Sequence, residues 1–255
     1  MSEAPVLEAR HLVKRFGALA VTNGVSFKLG AGERRAIIGP NGAGKTTLFN
    51  LLTGELAPDA GAVLISGRDA TRLAPNARAR LGLGRSFQKN NLFTDLSARE
   101  NLTLAAETST RRSGTFWRNP ANDRAIVERI GQAAASVGIN STDLNRPVEA
   151  LSYGVRRQLE VAIALATAPK LLLLDEPTSG MSPEETGQML ALIRGLPRTL
   201  SMLIIEHDMD LVFSVADSVT VLSYGEVVFD GTPDQVRASA EVKRIYFGQW
   251  GKPHA

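Results

Sequence analysis

Eight consecutive residues, Gly39-Pro40-Asn41-Gly42-Ala43-Gly44-Lys45-Thr46, set glycines, a lysine and a hydroxyl in the spacing Gly-x4-Gly-Lys-Thr. Glycine backbones can turn successive N–H groups toward an anion, and a helix beginning at the end of the loop adds its positive pole. In such a loop Lys45 reaches the β and γ phosphates of ATP, Thr46 ligates magnesium, and Thr47 is the next hydroxyl in the same turn. At average residue frequencies this pattern arises by chance in about one chain per hundred of this length. Here it follows a short stretch that reads as a strand, residues 34–38, and opens an apolar periodic run, residues 46–52. That context reads as strand, glycine loop, helix.

A phosphate loop needs carboxylates, and Leu171-Leu172-Leu173-Leu174-Asp175-Glu176 supplies two at the end of an apolar run. A buried strand would deliver Asp175 to the magnesium shell and Glu176 to the attacking water, as metal-side acid and base. Two acids ending a strand at the surface are common in themselves; a phosphate loop in the same chain gives this pair its chemical meaning.

The elements that must carry these residues are legible in outline. The 255 residues, 44% hydrophobic and 22% charged, suffice for one large α/β domain, or one with an attached helical subdomain. Residues 6–16 and 21–29 read as strands, set apart by turn signals at Gly17 and Asn23-Gly24, and residues 62–65 as another before a Ser66-Gly67 turn. Residues 74–81 read as a short helix, with residues 84–88 extended after it. From Asn91 to about Asn145 the pattern turns helical (residues 98–106 and 123–137) around a polar stretch with glycine and proline, residues 108–122, which reads as a mobile loop. Residues 151–168 form a strong helix pattern, residues 183–196 and 209–216 two more, and residues 202–205, 218–222 and 226–229 strands. Residues 251–255 read as a frayed tail.

Composition excludes several classes. The chain has no cysteine, which rules out disulfides and thiolate chemistry, and its three histidines, His11, His207 and His254, are too scattered for a zinc site. No apolar stretch approaches the roughly 20 residues of a membrane-spanning helix. The first residues carry Glu3 and Pro5 where a signal peptide has positive charge and an apolar core, so the cytoplasm is the expected compartment. A net charge of +3 says little about partners.

Between the two motifs stands Leu151-Ser152-Tyr153-Gly154-Val155, followed by Arg156-Arg157-Gln158. Ser152 is a good N-cap for the helix that follows, and Gly154 leaves its N–H open in the first turn; such a helix start binds phosphate. This segment resembles the signature sequence of ABC transporter ATPases, with Tyr153 and Val155 where glycine and glutamine are usual. Gln88, closing Arg85-Ser86-Phe87-Gln88, resembles that family's Q-loop glutamine, which touches magnesium and the attacking water; alone it would read as a surface residue. His207 after Ile204-Ile205-Glu206 resembles the switch histidine at the γ phosphate, and alone would read as packed or solvated. Phe16 resembles the aromatic that stacks on adenine, a strand residue in the core being the lesser alternative. Ser179-Gly180-Met181-Ser182 stands where the family has its D-loop, with Ser182 in place of the usual acidic or amide residue.

The resemblance covers nearly the whole chain. It implies an ABC-type P-loop core with a mixed sheet flanked by helices, an N-terminal antiparallel β subdomain and an inserted helical subdomain at residues 89–160 that contains the signature, all in one domain over residues 1–255 with a short tail at 239–255. It further implies ATP and Mg2+ as ligands, and a head-to-tail dimer with a second ABC ATPase, self or sister. Two transmembrane permease subunits, an extracytoplasmic solute-binding protein, a place on the cytoplasmic face of the membrane and no nucleic-acid partner complete the implied machine. Within the family the loop run, the Gly84-Arg85-Ser86-Phe87-Gln88 segment, the long insert near residues 108–122, the signature and Glu241-Val242-Lys243-Arg244-Ile245-Tyr246-Phe247-Gly248 look most like branched-chain amino acid importers. Urea and short-chain amide importers share these features, and lipopolysaccharide-export ATPases do so more distantly. A soluble, non-transport ABC ATPase is the reading from another class; it usually carries a coiled-coil insertion or a second cassette, and neither is present. Phe93, Phe116 and Trp117 in the insert are candidates to meet permease or lipid, or are incidental aromatics of a solvated loop.

Overall fold

The computed structural model describes residues 4–86, 92–110 and 123–250. Two compact units divide the chain, residues 1–81 with 198–255, and residues 82–197. The first unit begins with β1 (Leu7–Phe16), β2 (Leu19–Leu29), β3 (Arg34–Ile38), α1 (Lys45–Thr53), β4 (Ala60–Ile65), β5 (Arg68–Asp69) and α2 (Pro75–Arg80). The second unit holds β6 (Leu83–Arg85), α3 (Ala98–Thr110), α4 (Arg124–Ser136), α5 (Ser141–Leu144), α6 (Tyr153–Ala166), β7 (Leu171–Asp175) and α7 (Pro183–Gly195). The chain then returns to the first unit with β8 (Ser201–Ile205), α8 (Met209–Val215), β9 (Ser218–Ser223), β10 (Glu226–Gly231), α9 (Pro233–Ala238) and α10 (Ala240–Trp250).

In the first unit, β1, β2, β4 and β5 make an antiparallel sheet in the order β2-β1-β4-β5. Along β2, Val25, Phe27 and Leu29 are buried while Gly24, Ser26 and Lys28 face outward, the alternation of a sheet with one wet face. Asn23-Gly24, expected as a turn, lies inside β2. The pairing slips there, from Leu12 opposite Val25 to Val13 opposite Asn23. Gly24 takes a φ of 72°, so the dipeptide makes a bulge that kinks a continuous strand. The turn expected at Ser66-Gly67 is present, with both residues at positive φ, as a tight hairpin between β4 and β5 requires.

The other sheet of this unit is mixed: β3 pairs in parallel with β8 on one side and β9 on the other, and β10 runs antiparallel to β9. Every residue of β3 and β8 is buried, as expected for parallel strands covered on both faces. Ala36, Ile38, Val219 and Val221 from the sheet pack with Val212 of α8, Val236 of α9 and Val242 of α10.

A buried arginine ties α1 down. Arg78 has no solvent exposure, and its guanidinium donates to the Leu51 and Leu52 carbonyls, both at 2.7 Å, to Leu73 O at 3.0 Å and to Thr71 O at 3.1 Å. It thereby satisfies orphan carbonyls at the C-terminal end of α1. Burial pushes its pKa down to about 10, which leaves it charged at neutral pH.

In the second unit, β6 and β7 pair in parallel, Leu83 opposite Leu171 and Arg85 opposite Leu173, and all of β7 is buried. Helices α3, α4 and α6 pack on one another around Leu102, Ile126, Ile130 and Leu159. No described helix in either unit is long and apolar enough to cross a membrane.

Candidate functional site

The phosphate loop lies in the first unit, between β3 and α1. Its glycines do different work. A Cβ on Gly39 would stand 2.4 Å from Leu222 O, and one on Gly44, at a φ of 98°, would stand 2.4 Å from Val21 O. Both positions are pressed on backbone that cannot yield, so only glycine seats the loop there. Gly42, at a φ of 80°, has nothing within 4 Å of a Cβ, which leaves the outer face of the loop bare. Ala43 is buried, its N–H donating to Pro40 O at 3.1 Å and its carbonyl accepting from Gly225 N at 3.0 Å; Asn41 is exposed. Gly44 is the N-cap of α1, with no side-chain cap and no acidic residue in the first turn, so no side chain competes for the helix's positive pole. The Lys45 ammonium donates to Gly39 O at 2.7 Å and Pro40 O at 3.1 Å and so lies inside the curve of the loop. Thr46 is exposed and Thr47 half-buried.

His207 belongs to the same end of this sheet. β3 and β8 run in register, Ile37 opposite Ile205, so Gly39 and His207 follow strand ends that lie side by side. Glu206, fully buried, accepts from the N–H groups of His207 at 2.9 Å and Asp208 at 3.3 Å, and its Oε2 lies 3.6 Å from His207 Nδ1. The His207 side chain is 60% exposed, which answers the packed alternative. Phe16 is half exposed and therefore not a core residue. It pairs with Leu19 at the hairpin tip, two residues along β2 from the Val21 carbonyl that abuts Gly44, a separation of roughly 7 Å along the strand.

In the second unit, the buried β7 ends on Asp175, whose side chain is 5% exposed and whose N–H donates to Ser86 Oγ at 3.3 Å. Ser86 N in turn donates to Leu173 O at 2.8 Å, so the residue after β6 braces the carboxylate-bearing end of β7. Glu176 has a φ of 45°, a left-handed conformation that costs a non-glycine residue about 1 kcal/mol or more. Ser179 N donates to Glu176 O at 3.0 Å and Met181 N to Thr178 O at 3.1 Å, a turn that holds the strained residue in place. Gln88 lies outside the described residues, as do Phe116 and Trp117.

The signature residues sit at the start of α6. Ser152 is the N-cap, as its type suggests, its hydroxyl accepting from Val155 N at 3.4 Å. The Tyr153 hydroxyl donates to Ser179 O at 2.8 Å, and Arg157 stacks 5.4 Å from the tyrosine ring while donating to the same carbonyl at 3.4 Å. Gly154 has a close acidic neighbour: the Glu185 carboxylate lies against it, with Oε1 2.8 Å from where a Cβ would stand. The cause is a capping box at α7, in which Ser182 Oγ accepts from Glu185 N and Glu185 Oε2 accepts from Ser182 N at 2.9 Å. These bonds, those from Ser182 first and that from Gly154 last, hold the Glu185 carboxyl below the usual carboxylate range. Glu185 was missed in the sequence, although Ser182-Pro183-Glu184-Glu185 is a capping-box signature with proline at the first helical position.

Comparison with known proteins settles what this machinery belongs to. Residues 22–179 match the family described as ABC transporter. The chain belongs to that family. As an ABC ATPase it is 39% identical over 251 residues to the high-affinity branched-chain amino acid transport ATP-binding protein BraF of Pseudomonas aeruginosa, covering 96% of this chain and 98% of that one. It is 38% identical over 253 residues to the corresponding protein LivG of Escherichia coli, with the same coverage. Among solved structures, an ATP-binding cassette of an ABC transporter in its ADP conformation superposes with a TM-score of 0.83 at 29% identity, covering 96% of this chain and 99% of that one.

ATP is therefore the ligand to fit, and the first unit suits it. The bare face at Gly42, the uncapped start of α1 and the enclosed Lys45 ammonium form a cradle for a polyphosphate. No cluster of three or more His, Cys, Asp or Glu among the described residues is placed to hold a metal.

Proposed function

We propose that the chain is the ATP-hydrolysing subunit of a membrane importer for branched-chain or other hydrophobic amino acids. The observation that carries this reading is the near full-length identity to two branched-chain amino acid transport ATP-binding proteins, in a chain that keeps Lys45, Thr46, Asp175, Glu176 and His207.

In this reading the loop N–H groups and Lys45 bind the β and γ phosphates, and Phe16 stacks on the adenine. Thr46, Asp175 and Gln88 are the residues that would hold magnesium, which would supply positive charge against the phosphates. Glu176 accepts a hydrogen bond from the attacking water and draws off its proton, and His207 contacts the γ phosphate. The strained Glu176 backbone supports the assignment, because such conformations persist where surrounding structure holds a residue for use. Two subunits, this chain and a copy or sister, pair head to tail. Each gives Lys45 and Glu176 to one ATP and Ser152, Tyr153 and Gly154 to the other. ATP favours closure because only the closed pair contacts it from both sides.

The paired ATPases sit on the cytoplasmic face of the membrane beneath two permease subunits, and an extracytoplasmic binding protein delivers the solute. A groove of about 500 Å³ in the second unit, lined by Leu92, Thr94, Val148, Arg156 and the Arg157–Glu160 pair, supports docking of a permease segment there. Burial pushes the Glu160 carboxyl up despite its ion pair with Arg157, and the half-exposed Phe93 ring adds apolar surface next to Leu92.

The test is purification from membranes with whatever permeases and sister ATPase accompany the chain, then ATP-driven uptake in proteoliposomes supplied with the binding protein. Uptake of labelled leucine is expected. Uptake of urea or an amide instead would overturn the solute assignment, and recovery of a lone monomer without membrane partners would overturn the importer.

A further inference from the structure

We infer that the Glu185 carboxylate is a resident anion at the start of the signature helix, lying against Gly154 until the γ phosphate brought by the facing subunit displaces it. This rests on the reading above, in which each chain's Gly154 serves the ATP held by the other.

The geometry is local to one unit and involves three named groups. α6 has no acidic residue in its own first turn, and Ser152 takes the Val155 N–H. The charge at this helix start comes instead from α7, whose capping box fixes Glu185 so that Oε2 holds Ser182 N and Oε1 reaches Gly154. A carboxylate and a phosphate oxygen ask the same thing of a helix N-terminus, namely N–H donors and the positive pole. Two anions cannot share one such donor without strong repulsion. Glu185 is only partly buried, and its second oxygen retains the Ser182 N–H, so the side chain can swing aside while α7 stays capped. Glu185 is thus a positioning residue that sets the ATP concentration at which two chains close.

Glu185→Gln tests this, because glutamine serves equally at that place in a capping box while removing the charge. The readout is the concentration of a non-hydrolysable ATP analogue that gives half-maximal dimer, measured by sedimentation velocity on the full chain. We expect E185Q to associate at about three- to ten-fold lower analogue concentration in low salt. The gap should narrow as ionic strength rises to about 0.5 M, because the contact is partly solvated. Ser182→Ala weakens the cap but leaves the carboxylate at Gly154, so it should lower the melting temperature without lowering the analogue requirement. If the wild type associates and E185Q needs the same or more analogue, Glu185 is only a cap and the inference fails. If the wild type shows no nucleotide-driven association, the shared two-chain site fails first and this inference with it.

Discussion

Two helix starts in this molecule are proposed to meet phosphate, and they are finished differently. At α1, Gly44 caps with backbone alone, no carboxylate stands in the first turn, and Lys45 reinforces the positive pole. At α6, Ser152 caps with its hydroxyl and the Glu185 carboxylate lies on Gly154. The difference fits the duties proposed for each. The first start holds its own nucleotide and gains by being open at all times. The second receives a phosphate only when another subunit closes, and in a lone chain an internal carboxylate lies beside it meanwhile.

Swapping glycine for alanine at each start separates them most sharply. Gly44→Ala drives a methyl into the Val21 carbonyl at a positive φ, and should cost about 2–4 kcal/mol of stability and abolish measurable ATP binding by calorimetry. Gly154→Ala meets only the far end of the Glu185 side chain. It should change stability by about 1 kcal/mol or less, while weakening nucleotide-driven association. Equal stability losses at the two positions would erase the distinction.

The far end of α1 gives the next effect. Arg78→Met removes four hydrogen bonds to carbonyls, two on the last turn of α1 and two on the loop ahead of α2, and should cost about 3 kcal/mol. In a chain of this size that lowers the melting temperature by roughly 6–12 °C. On α6 the buried Arg157 pairs with Glu160 and donates to Ser179 O beside the Tyr153 hydroxyl. There the smaller change Tyr153→Phe, which deletes the bond to Ser179 O, should cost about 1 kcal/mol and a few degrees in the same melting assay.

The same contrast explains what the sequence revealed. The phosphate loop was readable because its function is carried by backbone, and a backbone requirement prints directly as glycine at fixed spacing. The apolar run before Asp175 was readable because a strand buried on both faces has no polar positions. The Arg78 clamp was not, since its partners are main-chain carbonyls that every residue possesses. The Glu185 contact with Gly154 was hidden because it joins two elements distant in sequence, although the capping box that aims Glu185 is a local signature and could have been found. Asn23-Gly24 misled for a different reason. The dipeptide favours positive φ, and a bulge inside a strand uses that preference as readily as a turn does. Ser182, noted as a departure from the family's acidic or amide residue, is the cap that places Glu185.

The account turns on Glu176 as the base of an ATP hydrolysis reaction, and steady-state phosphate release tests it directly. Wild type and Glu176→Gln should bind ATP comparably, while release by the variant falls by about a hundred-fold or more. Equal rates of release would contradict the catalytic assignment.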